Sequence, residues 1–295
     1  MKARGDVGEL KLVLNGSFRS GTSMLWKIVK DSNPDMLCFY EPCHPSLSDL
    51  ICEHPEGHVN DLHGYVLFDE YHHAFDMSEG VFNDALSQTK IYPDTYDQIS
   101  ERVSRFTCLD QACVLQSNRW HYFLEELHSE YDCALMHVLR NPFKVWDSIQ
   151  RGIRQQGEFS YQIRRFLRNR SLGEFFGSDA IYQKSMKVHS LQPPLFLSSF
   201  ERFIVGWILS NDIAVKAVLA HSGTVLTYES ILSSGGDVLD ALDLAGVRFD
   251  QHAFVRRQAV TFLDSTEYNK IASICTRFGM EDVMEDLLKS IGELQ

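Results

Sequence analysis

The chain has 295 residues, 44% of them apolar and 12% aromatic, enough to bury a sizeable core, and it carries 28 basic against 40 acidic side chains. A formal charge of −12 excludes a general nucleic-acid or polyanion binder, which needs a basic face. No stretch has the make-up of a signal peptide and none approaches about 18 uninterrupted apolar residues, so a cytoplasmic protein without a membrane span is expected.

Residues 11–16 predict a strand, followed by the loop Ser17-Phe18-Arg19-Ser20-Gly21-Thr22-Ser23 and a helix with Met24, Leu25, Ile28 and Val29 on one face. In such a turn the first helical N–H groups lack partners, and Gly16 and Gly21 let the main chain wrap around a tetrahedral anion. The spacing is that of the nucleotide loop G-x-x-x-x-G-K-[ST], with Thr22 where the lysine stands. The loop therefore lacks the point charge that reaches the β- and γ-phosphates of ATP, whereas Arg19 offers a planar fork to a terminal oxyanion. A purely structural turn is the alternative.

Asn33-Pro34 ends the first helix, and residues 36–40 form a short buried strand with Glu41-Pro42 at its end. Strand ends of an open parallel sheet face the ligand crevice, which places Glu41 where chemistry happens, unless Glu-Pro is only a turn. Residues 43 to about 111 are rich in histidine (His44, His54, His58, His63, His72, His73), with Cys43 and Cys52 nearby. They contain no C-x-x-C or H-E-x-x-H spacing, so no metal site is expected. An irregular region that shapes an acceptor pocket is expected instead, closed by a helix over 97–106. All seven cysteines, irregularly spaced, fit reduced thiols.

Residues 112–116 predict the next strand, leading through Gln116-Ser117-Asn118-Arg119 to a helix carrying Trp120, Phe123, Leu124 and Leu127. Residues 133–139 are a nearly continuous apolar run, suited to a strand covered on both faces. Arg140 leaves its tip, and Asn141-Pro142 opens a helix with Val145, Trp146 and Ile149 on one face and Ser148 further along. Arg140 and Ser148 can reach one anion beside that helix, although each alone also fits a structural contact. Between Arg140 and Arg170 eight bases oppose two acids, a local +6 that leaves −18 elsewhere. The Arg164–Arg170 part fits a solvated helix face equally well.

Phe203 to Ala217 predict a buried helix, 224–228 a strand ending in Tyr228-Glu229, and 238–245 and 280–291 amphipathic helices. The sum is an α/β fold, a central parallel sheet of about five strands flanked by helices. One domain over 1–295 is expected, with 43–110 as an irregular insertion over the substrate.

Gly16-Ser17-Phe18-Arg19-Ser20-Gly21-Thr22-Ser23 resembles the 5′-phosphosulfate loop of the sulfotransferase family, and Arg140-Asn141-Pro142 with Ser148 is similar to its 3′-phosphate motif. Arg-Ser-Gly-Thr is closest to the bacterial, carbohydrate and protein-tyrosine branches, and in the last of these a catalytic glutamate follows a proline at the interval from Pro34 to Glu41. The likeness continues weakly in Trp207, Asn211 and Tyr228-Glu229, and leaves out 43–110. It implies a P-loop-like fold and transfer of a sulfuryl group from 3′-phosphoadenosine 5′-phosphosulfate (PAPS) to an acceptor hydroxyl, releasing the bisphosphate PAP. Gly16, Ser17, Arg19, Ser20, Gly21, Thr22 and Ser23 would hold the phosphosulfate, Arg140 and Ser148 the 3′-phosphate, with Arg119 and Tyr228 as further donor contacts. Glu41 would be the general base, with His44 as the alternative, and Arg19 would stabilise transferred charge. The chain departs from the family at Gln116, where a lysine is usual and Arg119 is the nearest cation, and in having only Arg256 and Arg257 as C-terminal cover for the 3′-phosphate. A P-loop kinase or NTPase and a silent PAP-binding protein are the alternatives. A small-molecule, lipid, sugar or carrier-bound hydroxyl is the expected acceptor, with no nucleic-acid partner.

Overall fold

The computed structural model describes residues 8–44, 47–53, 58–59, 66–75, 95–155, 198–234, 246–249 and 262–292. Its frame is a sheet of β1 (Leu10–Gly16), β2 (Leu37–Tyr40), β5 (Cys113–Ser117), β6 (Ala134–Leu139) and β7 (Thr224–Thr227) in the order β2-β5-β1-β6-β7. Every pairing is parallel. Leu12, Val13 and Leu14 are fully buried because β1 is the central strand, covered by neighbours at both edges and by helices on both faces. From β1 the chain crosses to the β2 edge, returns to β5, and then passes β1 to reach β6. The tip of β1 is thus the point where the connections diverge, the crevice in which open parallel sheets hold ligands.

Helix α1 (Thr22–Ser32) follows β1 and buries Leu25, Trp26, Ile28 and Val29 against the sheet. Trp26 Nε1 donates to the Cys38 carbonyl at 3.0 Å, tying α1 to β2. Asn33 stops the helix, its Nδ2 donating back to the Val29 carbonyl at 2.7 Å ahead of Pro34. Between β2 and β5 the described residues are more regular than expected: α2 (Leu47–Glu53), a two-stranded ribbon of β3 (His58–Val59) and β4 (Val66–Leu67), α3 (Asp69–Ala74) and α4 (Tyr96–Thr107). Phe39 of β2 meets Tyr71, Phe75 and Phe106 at ring separations of 5.0, 6.0 and 4.6 Å, so this insertion is pinned by aromatic packing.

Helix α5 (Leu124–Tyr131) starts later than expected. Trp120 to Phe123 form a single turn, closed by Phe123 N–H on the Trp120 carbonyl at 3.0 Å, and the Trp120 amide donates to Asn15 Oδ1 at 3.3 Å. That side-chain hold on the backbone delays the helix. After β6 come α6 (Pro142–Gln155), α7 (Ser199–Ala220), α8 (Tyr228–Ser234), α9 (Ser265–Phe278) and α10 (Glu281–Ser290). Tyr228 belongs to the first turn of α8 rather than to the strand. The helix expected over 238–245 and the basic run Arg164–Arg170 lie outside the described residues, as do Arg256 and Arg257.

The interior has two parts. One packs α1, α4 and α5 on the sheet, and the other packs α6, α9 and α10 around α7. Helix α7 is long and apolar enough to cross a membrane, yet 72% of its apolar window is buried inside the protein, where Phe203, Trp207 and Ile208 are core residues. None of the seven cysteines is in a disulfide.

Candidate functional site

The loop Ser17–Gly21 sits on the tip of the central strand, and two glycines explain its path. A Cβ on Gly16 would lie 2.7 Å from the Val138 carbonyl, so only glycine lets the loop rest on β6. Gly21 has φ 98° and a Cβ there would lie 2.4 Å from the Tyr228 ring. Ser20 N–H closes the turn on the Ser17 carbonyl at 2.9 Å. Arg19 itself has φ 68°, a left-handed conformation uncommon outside glycine and a sign of backbone held for a purpose. Ser20 Oγ and the Nε atoms of Arg19 and Arg140 are buried without a hydrogen-bond partner. Donors stored dry beside the free amides of a helix start are suited to an anion.

Arg140 emerges from β6 and joins the loop. Its Nη1 donates to the Arg19 carbonyl at 2.9 Å, and its guanidinium lies 4.5 Å from the centre of the Tyr228 ring. Gly21, Tyr228 and Arg140 therefore form one stacked column. The Arg19 guanidinium lies 5.0 Å from the centre of the Phe18 ring. Burial lowers the pKa of Arg19, Tyr40 opposes this, and the like charges of Arg140 and Arg151 lower it further. Two arginines, from the loop and the β6 tip, thus stand together with their charges repelling, which favours a bound anion. Ser148 is half-buried on α6, and no hydrogen bond joins it to Arg140.

Glu41 is 3% exposed at the tip of β2, two strands from the loop in the sheet, and has φ 47°. Its Oε2 accepts from Arg119 Nη1 and its Oε1 from Asn118 Nδ2. Asn118 Oδ1 in turn accepts from Thr22 Oγ1 and from Gln116 Nε2, both at 2.9 Å. Gln116 Oε1 receives the Glu41 amide at 3.3 Å. The carboxylate is thereby joined to the loop through one residue. Burial raises the proton affinity of Glu41 despite the opposing pull of Arg119. Behind it Arg102, itself buried, donates to the Pro42 carbonyl at 2.6 Å and anchors the turn. His44 donates its amide to the Glu41 carbonyl at 2.8 Å, but its ring packs on Phe68 at 5.8 Å. Ser23 Oγ pairs with the Tyr40 hydroxyl at 2.7 Å.

Beneath the loop lies a buried, neutral polar cluster. Asn15 Nδ2 donates to His137 Nδ1 at 2.9 Å, so His137 carries its proton on Nε2 and donates to Asn211 Oδ1 at 2.8 Å. Ser17 Oγ donates to the same Asn211 oxygen at 3.3 Å and lies 3.4 Å from His121 Nε2. Burial drives the His137 pKa down to about 4 and that of His121 well below its usual value. The first polar residue of the loop is thus fixed from below by groups that stay uncharged at neutral pH.

Of the residues expected at the site, Gly16 to Ser23, Arg140 and Tyr228 come together around the loop, while Glu41 and Arg119 form an adjoining buried pair. Ser148 lies further along α6, and the His44 ring packs against Phe68. Asn118, His121 and His137 had no assigned role in the sequence. Their only signal is a polar residue inside or just after an apolar strand, which also fits a structural cap. Among the described residues no group of three or more His, Cys, Asp or Glu side chains could hold a metal ion.

No family model matches the chain. An uncharacterized protein of Archaeoglobus fulgidus is 28% identical over 278 residues, covering 85% of this chain and 89% of that protein. Structurally, the chain is similar to the sulfotransferase domain of the Synechococcus PCC 7002 olefin synthase, with a TM-score of 0.44 and 14% identity over 97% of this chain and 90% of that one. It is also similar to the sulfotransferase domain from the curacin biosynthetic pathway, at 0.39 and 12% over 91% and 98%. A third similar structure is a sulfotransferase of Mycobacterium tuberculosis H37Rv, at 0.40 and 12% over 92% and 77%.

Proposed function

We propose that the chain is a sulfotransferase that moves a sulfuryl group from PAPS to an acceptor hydroxyl. The observation that carries this is the pairing of a lysine-free phosphate loop with Arg19 and Arg140, joined to each other at the tips of β1 and β6. PAPS carries its activated sulfuryl group on the end of the 5′-phosphate and a separate phosphate on the ribose 3′-oxygen. The loop amides, with Thr22 and Ser23, suit its phosphosulfate. Arg140, with Ser148 further along α6, suits its 3′-phosphate. In this reading Arg119 supplies the charge of the lysine that the resembled family carries at Gln116, whose neutral amide holds Asn118 and the Glu41 amide.

Glu41 accepts the proton of the acceptor hydroxyl as that oxygen bonds to sulfur and the bond from sulfur to the 5′-phosphate oxygen breaks, leaving PAP. Arg19 and the loop donors stabilise the charge gathered on the leaving phosphate. A kinase or NTPase on the same plan is opposed by Thr22 in the lysine position and by the β5 tip, where Gln116, Ser117 and Asn118 offer no carboxylate for magnesium. The acidic body disfavours polyanionic acceptors and leaves small, lipid, sugar or carrier-bound hydroxyls.

Incubation with sulfur-labelled PAPS and a panel of such hydroxyls is expected to yield a labelled acceptor. Tight PAP binding with no transfer to any member would instead favour a silent binding protein.

A further inference from the structure

Glu41 and Arg119 are both withdrawn from water, with 3% and 12% of their side chains exposed. While their ion pair is closed, both carboxylate oxygens are occupied, one by Arg119 and the other by Asn118. The charge and hydrogen bond of Arg119 then lower the affinity of the carboxylate for a proton from an acceptor. The two donors also lead back to the loop: Asn118 accepts from Thr22 Oγ1 at 2.9 Å, and the charge of Arg119 acts on Tyr40, whose hydroxyl pairs with Ser23 Oγ at 2.7 Å. Breaking a buried ion pair is costly unless something else takes up the freed charge. An anion on the loop does so, offering Arg119 a second negative partner and Thr22 a charged acceptor. The left-handed backbone of Glu41, φ 47°, indicates that the pair is held rather than relaxed.

Building on the sulfotransferase function proposed above, we propose that Arg119 is a positioning residue that gates Glu41. It keeps the carboxylate closed in the donor-free protein, and the donor's anionic end draws it away, so the base opens only once the donor is in place. Glu41 already has a raised proton affinity through burial, held back by Arg119. Losing that cation raises the affinity further, toward the range useful to a general base.

Calorimetric titration of the full chain with PAP, in buffers of different ionisation enthalpy near neutral pH, tests this without relying on turnover. Fractional proton uptake, below one per PAP bound, is expected, the ionised remainder serving as base, and Glu41→Gln should abolish it while PAP still binds. A protonated-carboxyl band should appear in the infrared difference spectrum of the unmodified protein on PAP addition, which decides the matter even if the variant folds poorly. PAP binding without proton uptake, or uptake that survives in a folded Glu41→Gln, overturns the gate and leaves the sulfotransferase function standing. Failure of PAP to bind at all removes that function and the gate with it.

Discussion

At the tip of β2 a buried carboxylate is made basic by its surroundings and restrained by a single arginine. Glu41→Gln keeps the shape and the amide contacts but cannot take a proton. Turnover should fall by about two to four powers of ten with PAP affinity retained, as measured by steady-state kinetics beside calorimetry. Near-normal turnover would move the base elsewhere, with His44 the next residue to test. The turn that carries Gly16, Arg19, Gly21 and Thr22 was legible in the sequence because a strand-to-helix loop is local: its spacing is its geometry. The partners of Glu41 were not, since Asn118 and Arg119 lie 77 and 78 residues away and meet it only through the β2-β5 register, in which Tyr40 faces Gln116. Gln116 read as a missing charge, and its role as a clamp on Asn118 appears only once that register is known.

Among the elements, β1, β6 and α7 are locked together by Asn15, His137 and Asn211, all fully buried. This cluster works only with neutral imidazoles, because Asn15 Nδ2 already donates to His137 Nδ1. The folded His137 pKa is about 4, below the usual value near 6.5, so the unfolded chain binds a proton that the folded one refuses. Its contribution to stability is complete above about pH 6.5 and is lost as pH falls toward 4, amounting to about 3 kcal/mol. The urea midpoint should drop across that interval, and His137→Gln should flatten the slope. An unchanged slope in the variant would show that the titration belongs to other groups. All five strands were legible within a residue at most of their ends, because parallel strands covered on both faces are continuous apolar runs. Helix α9 was missed although Asp264 and Glu267 form a full capping box at its start, a signal masked by the weak apolar periodicity that follows. Among the described residues of the insertion, the helix expected over 97–106 is present, whereas α2 and α3 escaped notice because they are short and α3 is held by Phe39 from outside the segment.

Across the whole molecule, an acidic chain sets several arginines along one end of its sheet. Arg140 joins Arg19 through its carbonyl at the β1 and β6 tips, and Arg119 pairs with Glu41 by the tip of β2. The sheet order puts the β1 and β6 tips side by side, so in the proposed function a ligand with two phosphate groups engages them together. The most direct test is a calorimetric comparison of PAP with ADP on the unmodified protein and on Arg140→Ala. PAP should bind and ADP should not, and Arg140→Ala should weaken PAP by about ten- to a hundredfold, the worth of a hydrogen bond to a charged group. Equal binding of ADP, or PAP affinity untouched by the loss of Arg140, would contradict the two-anion site and the function built on it.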